Sequence, residues 1–266
     1  MSDLDEVAAW VAGARSVVAL TGAGISTESG IPDFRGPDGV WTRDPKAEAL
    51  SDIRHYVADP ALRRRAWQGR LQHPGRSATP NRGHRALAAL EGLGRLDLLV
   101  TQNIDGLHLA AGSSPRRTIE IHGTIREYAC LGCGERGPMA DALARVQAGE
   151  ADPACLTCGG ILKSATISFG QALVPADLAR AEAAAERCDL FLAIGTSLTV
   201  YPVAWLPERA VAAGARLVIV NAEPTPLDRR ASRVLRGTTG DLLPALVDLV
   251  RAGLSRPAGT GDMAPP

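Results

Sequence analysis

Lysine is nearly missing from this chain. Lys46 and Lys163 are its only two, so arginine carries almost all of the positive charge. The 29 basic residues are matched by 29 acidic ones, which removes any global electrostatic reason to expect nucleic acid or an anionic membrane as a partner. Beside the abundance of alanine and glycine, the arginine bias reads as a GC-rich coding preference rather than a functional signal. No run reaches the ~20 apolar residues that a membrane-spanning helix needs. The opening stretch MSDLDEVAAWVAGARS is acidic and has neither a basic n-region nor a long apolar core, so it does not read as a secretory signal. These absences lead to the expectation of a cytoplasmic protein, in which thiols stay reduced and clustered cysteines bind metal more often than they pair. Cysteine is itself rare, at five, and four of the five fall between positions 130 and 158.

What is present suffices for a sizeable core: 45% of the 266 residues are hydrophobic, enough for one large domain or one domain with an insertion. Strand-like runs alternate with helical ones. Residues 16–21, 97–102, 189–195 and 216–221 are rich in apolar and β-branched side chains, and 118–122 alternates with period two. Continuous apolar runs suit strands buried on both faces of a parallel sheet. Between them, 81–93, 175–188 and 205–213 carry apolar residues at helical spacing. The alternation predicts an α/β fold, a Rossmann-like doubly wound parallel sheet, with ligands beyond the carboxyl ends of its strands. Those ends carry Gly22-Ala23-Gly24, Gln102-Asn103-Ile104-Asp105, His122-Gly123, Gly195-Thr196-Ser197 and Asn221-Ala222-Glu223. All five are expected to converge on one crevice. Two segments break the pattern: 37–77 is arginine-rich and helical in character, and 127–170 holds the cysteine cluster.

The cysteines form two C-x-x-C pairs, Cys130–Cys133 and Cys155–Cys158, separated by 21 residues (134 to 154) and followed by Gly134 and Gly159-Gly160. That separation is one residue beyond the usual ribbon spacing. Four thiolates arranged tetrahedrally satisfy Zn²⁺ and leave no position for water, so the predicted site is structural. Cys188 stands alone before an apolar run and reads as a small core residue.

The stretch VVALTGAGISTESGIPDFRG (17–36) begins as a phosphate-binding turn and then departs from one. Gly22 and Gly24 would let the backbone approach a pyrophosphate. The third glycine of a dinucleotide fingerprint is absent, and the chain runs into Asp33-Phe34-Arg35 instead. A phenylalanine on a loop beside a phosphate turn suits a lid over a flat ring; the alternative is a loop anchored by Phe34 in the core with a local Asp33–Arg35 pair.

Taken together, TGAGISTESGIPDFRG (21–36), TQNIDGLHLAAG (101–112), EIHG (120–123), the cysteine pairs, ISFG (167–170), GTSLTVYP (195–202) and VNAEPTP (220–226) resemble the sirtuins, NAD⁺-dependent protein deacylases. The resemblance implies a Rossmann-like domain of 1–36, 78–126 and 171–254, a helical module of 37–77 and a zinc ribbon of 127–170. The tail, 255–266, is expected to be disordered. It implies NAD⁺ and one structural Zn²⁺, with acylated-lysine proteins as partners. The acyl group would leave lysine for ADP-ribose as nicotinamide departs. His122 would be the base that takes a proton from a ribose hydroxyl, since imidazole titrates near neutrality. Asn103 and Asp105 would assist at the nicotinamide-side ribose. Gly22, Ala23, Gly24, Ile25, Asp33, Phe34, Arg35, Gln102, Ile104, Gly195, Thr196, Ser197, Asn221, Glu223 and Thr239 would bind the nucleotide. Ile167, Phe169 and Gly170 would border a groove where the substrate backbone pairs as an added strand. His55, His73, His84 and His108 fit no catalytic position.

This chain departs from the family pattern on the peptide side, at Ser164 and Gln171. Sirtuins that remove succinyl or malonyl groups carry a Tyr and an Arg three residues apart in the helical module, and 63–70 has no such pair. Its R-x-R-x-W pattern (63–67) is similar to the subgroup of the mitochondrial lipoamidase-type sirtuins. Arg63-Arg64-Arg65 otherwise reads as a solvated helix face. ADP-ribosyl transfer from the same cleft is the alternative enzyme, and a partner-binding zinc ribbon is the alternative without catalysis.

Overall fold

A computed structural model describes residues 2–34, 36, 39–43 and 51–255. The expected tail (beyond Ser255), Arg35, and 44–50 of the helical module lie outside these residues. Six strands, β1 (Val17–Thr21), β2 (Leu98–Thr101), β3 (Thr118–Glu120), β7 (Leu190–Ile194), β8 (Arg216–Val220) and β9 (Arg233–Leu235), form one sheet in the order β3-β2-β1-β7-β8-β9. Every pairing in it is parallel. Three more, β4 (Gly123–Cys130), β5 (Arg136–Pro138) and β6 (Leu162–Thr166), make a separate antiparallel sheet in the order β5-β4-β6.

The period of two along each strand sorts its side chains between two cores. Val17, Ala19, Leu190, Leu192 and Ile194 pack with the helices Asp3–Gly13, Arg82–Gly92 and Thr239–Ser255. Val18, Leu20, Phe191 and Ala193 pack on the opposite face with Pro175–Arg187 and Trp205–Ala212. Both faces are therefore buried, which is why these strands read as unbroken apolar runs. Cys188 sits in the second core with its thiol against the Ala185 carbonyl. β3 is shorter than the alternating run 118–122 implied: pairing ends at Glu120, and Ile121 and His122 lead into the second sheet.

A third core lies between the helix Pro60–Leu71 and the antiparallel sheet. Trp67, Cys130, Met139, Leu143, Cys155 and Leu162 are buried in it. The helix Met139–Gln147, between the two cysteine pairs, was not anticipated; its apolar face (Met139, Ala142, Leu143, Val146) closes this core. Arg63 corrects the expectation of a solvated face. Its side chain is 12% exposed and pairs with Asp152 at 2.8 Å, joining the helical segment to the ribbon, while Arg64 and Arg65 face solvent.

Candidate active site

Chain order reverses between β1 and β7, and ligands of open parallel sheets bind at such a point. Here the two strand ends are held together by glycine. Gly24 N donates to Gly195 O at 2.8 Å, and Gly22 N donates to Ile194 O at 3.1 Å. A Cβ on Gly195 would lie 2.5 Å from Ile25 N, and its φ of +57° disfavours any side chain. Gly195→Ala is expected to cost on the order of 1–3 kcal/mol, read by denaturant titration. It is also expected to raise the KM for the nucleotide, because the turn must open to admit the methyl.

A crevice of about 1560 Å³ opens above this point, and all five anticipated strand ends line it. Within it lie Gly22-Ala23-Gly24, Gln102-Asn103-Ile104-Asp105, His122, Gly195-Thr196-Ser197, Asn221 and Glu223, with Asp33, Phe34, Ile167, Phe169, Gly170 and Thr239. Ile25 does not line it; its side chain is fully buried in the first core beneath the turn. Phe34 borders the crevice and is 42% exposed, so it does not anchor the loop in the core. Asp33 accepts from Gly36 N at 2.9 Å and closes the turn.

Polar side chains beneath the glycine turn form a buried network. Asn103 Nδ2 donates to Gly22 O and to Ser26 Oγ, both at 3.0 Å. Ser26 Oγ donates to Asp105 at 2.7 Å. His84 Nε2 lies 3.4 Å from Ser26 Oγ, and His108 Nε2 lies 2.9 Å from Thr21 Oγ1. Burial pushes His84 down to about 4 and His108 to about 3, so both are neutral near pH 7 and serve as hydrogen-bonding packing groups. Ser26 belongs to the quoted motif, yet nothing in its sequence position marked it as the link between Asn103 and Asp105.

On the far side, Gln102 Nε2 donates to Thr196 Oγ1 at 2.9 Å. Asn221 Nδ2 donates to Glu223 O at 2.7 Å, and Arg236 holds both carbonyls of that loop, at 3.1 Å from Asn221 O and 2.6 Å from Glu223 O. Glu28 accepts from Gly240 N at 2.7 Å at the start of the helix Thr239–Ser255.

His122 lies where β3 leads into β4. Its Nδ1 is 3.1 Å from Gln102 O. A carbonyl oxygen only accepts, so Nδ1 carries the proton and the neutral ring keeps its lone pair on Nε2. Burial holds its pKa below the ordinary value, with the Gln102 carbonyl acting in the opposite direction. The Phe169 backbone, at the border of the crevice, is paired within the chain. Its N–H donates to Ser51 O (3.1 Å) and its C=O accepts from Ile53 N (3.0 Å).

The four cysteines meet at one end of the antiparallel sheet. Their Sγ atoms lie within 4.8 Å of one another, with Cys130–Cys158 at 3.5 Å and Cys133–Cys155 at 3.7 Å. A tetrahedron with 2.3 Å Zn–S bonds has edges of about 3.8 Å, so the cluster fits that ion. Gly134 and Gly159 take φ of +76° and +73°, the left-handed turns expected after each pair. Gly132 N and Gly160 N point at the Cys130 and Cys158 sulfurs from 3.3 and 3.4 Å, as suits thiolates.

The Sir2 family model matches residues 22–202. The chain belongs to the Sir2 family. A curated relative from Streptomyces coelicolor, NAD-dependent protein deacetylase 2, is 54% identical over 87% of this chain and 96% of its own length. One from Bradyrhizobium diazoefficiens, NAD-dependent protein deacetylase 1, is 42% identical over 92% and 96%. A solved Sir2 structure with a p53 peptide and NAD⁺ is 33% identical, with a TM-score of 0.84, covering 96% of this chain and all of that one. Both the parallel sheet with its glycine crevice and the tetrathiolate lobe thus belong to a Sir2 protein.

Proposed function

We infer that this Sir2 protein is an NAD⁺-dependent protein-lysine deacylase, with deacetylation as its default activity. One observation carries the reading: His122, its Nδ1–H tied to a backbone carbonyl, lines the same crevice as the glycine turn at the β1/β7 switch point. NAD⁺ supplies a glycosidic bond whose cleavage releases nicotinamide and leaves a ribose carbon open to the acyl oxygen. Gly22 and Gly24 leave room for its pyrophosphate, and the Ser26-linked Asn103 and Asp105 orient the nicotinamide-side ribose. Thr196 and Ser197 meet phosphate or ribose, and Asn221 and Glu223 the adenosine ribose. Phe34 covers the nicotinamide end against water. His122 accepts the ribose hydroxyl proton at Nε2. The four cysteines hold one Zn²⁺, which fastens the ribbon and takes no part in the chemistry. No helix among the described residues is long and apolar enough to cross a membrane, and a cytoplasmic setting suits the clustered thiols.

The test is incubation with labelled NAD⁺ and an acetyl-lysine peptide, products read by mass. Free O-acetyl-ADP-ribose, nicotinamide and unmodified lysine in equal amounts are expected. Label retained on protein, without peptide deacylation, would establish ADP-ribosyl transfer instead.

A further inference from the structure

One end of the crevice is closed by the loop that follows β8. Asn221, Ala222, Glu223 and Pro224 line it there. The second half of this loop is anchored: Thr225 and Leu227 are buried, and Leu227 packs in the core around Phe191. The half that faces the crevice has no such anchor. Among the described residues, no backbone-to-backbone hydrogen bond holds Ala222, Glu223 or Pro224. Side chains hold it instead. Asn221 Nδ2 donates to Glu223 O, and Arg236 Nη1 donates to both Asn221 O and Glu223 O.

Arg236 directly follows β9 and does not line the crevice. Its Nη2 donates to Asp228, which also accepts from Thr225 Oγ1 at 2.7 Å. Burial would raise the Asp228 carboxyl. The hydrogen bonds from Thr225 and the charge of Arg236 outweigh it and hold the group below the usual carboxylate range, so it is ionised at neutral pH. Two carbonyl oxygens that converge on one point repel each other. A planar guanidinium reaches both of them and a carboxylate at once, because its donors are fixed in a fork. Without it, the Asn221 amide alone would hold Glu223 O, with the two carbonyl dipoles opposed.

We propose that Arg236 is the positioning residue for the adenosine end of the nucleotide site: braced by Asp228, it keeps Asn221 and Glu223 in the arrangement that meets the adenosine ribose. The inference rests on the NAD⁺ reading of the crevice and deepens it. Arg236 acts through the loop and sets affinity for any ligand with an adenosine half. It leaves the chemical step alone. His122 follows β3 and Asn221 follows β8, with β2, β1 and β7 between them.

The test uses the full-length, metal-replete protein. ADP-ribose and AMP are titrated by calorimetry, and deacetylation is followed at varied NAD⁺ and at varied peptide. Arg236→Gln keeps a donor but loses the fork and the charge. It is expected to weaken both ligands, and to raise the KM for NAD⁺, by about tenfold. At saturating NAD⁺, kcat and the KM for peptide should stay within about twofold, the mark of lost uniform binding. Arg236→Lys should regain part of the affinity. Asp228→Asn should weaken nucleotide binding in the same direction, although Asp228 does not line the crevice. The double variant should bind no more weakly than Arg236→Gln alone, since Asp228 works through Arg236. Parent-like nucleotide affinity in Arg236→Gln, or equal losses in kcat and in both KM values, overturns the assignment. Asp228→Asn reads the same split independently, so a poorly folding Arg236→Gln does not protect the proposal; an unchanged KM for NAD⁺ in Asp228→Asn overturns it. A parent protein that binds neither ADP-ribose nor NAD⁺ overturns the nucleotide reading and this assignment with it.

Discussion

His122→Ala is expected to lower peptide-dependent deacylation by roughly 10²- to 10⁴-fold, the usual worth of a positioned general base. NAD⁺ affinity should change little, because the ring is held by the Gln102 carbonyl and not by the glycine turn. The pH profile supplies an independent check. The base works as neutral imidazole, and burial holds its pKa below 6.5. Activity is therefore expected to be full above pH 6.5 and to fall as pH drops through an inflection below that value. His122→Ala should remove this limb from what activity remains. Single-turnover assays across pH 5–8 with both proteins measure the two effects together. Undiminished turnover in the variant, or an inflection above 6.5, would refute the assignment of His122 as base.

Removal of the metal is expected to unfold the smaller lobe. Two of its buried core residues, Cys130 and Cys155, are themselves metal ligands. Metal binding is worth on the order of 10 kcal/mol in small zinc domains, and the few apolar side chains around Trp67 do not replace that. Without the ion, four sulfurs 3.5 Å or more apart lose what gathers them, and β4 and β6 lose their common anchor. Lys163, Ser164 and Thr166, on β6, line the crevice, so the loss reaches the substrate side. One zinc per chain should be released by a chelator. The unfolding transition of the lobe, followed by Trp67 emission against a Trp67→Phe control, should fall to lower temperature. Deacylation should be lost with the metal and regained on its return. Cys133→Ser, at an exposed ligand, should reproduce the effect. A chelated protein that has lost its zinc and keeps both its transition and its activity would show the cluster to be dispensable.

The placement of His122 illustrates how far local pattern carries. Its position at a strand end was legible, but the alternation of 118–122 suggested a longer strand than forms, because β3 stops where the chain turns from one sheet into the other. Ile25 shows the opposite case: directly after Gly24 of the turn, it faces the core, since the short helix Ala23–Ile25 rotates it away from the crevice. The helix Asp3–Gly13 was passed over, although Ser2 and Asp5 cap it reciprocally at 2.8 and 3.2 Å.

By itself, the order of residues determined the parallel sheet, the glycine turn, the tetrathiolate and the candidate base. Each depends on neighbours a few positions apart, or on a period that backbone geometry imposes. Only the tertiary structure decided that Tyr56, Arg70 and Lys163, on two helices and a strand, share one wall of the crevice, where neither cation meets a carboxylate among the described residues, and that the Phe169 backbone is already paired. The physical reason is that charge balance and free hydrogen-bonding edges are properties of what surrounds a group in space, and chain proximity does not encode them.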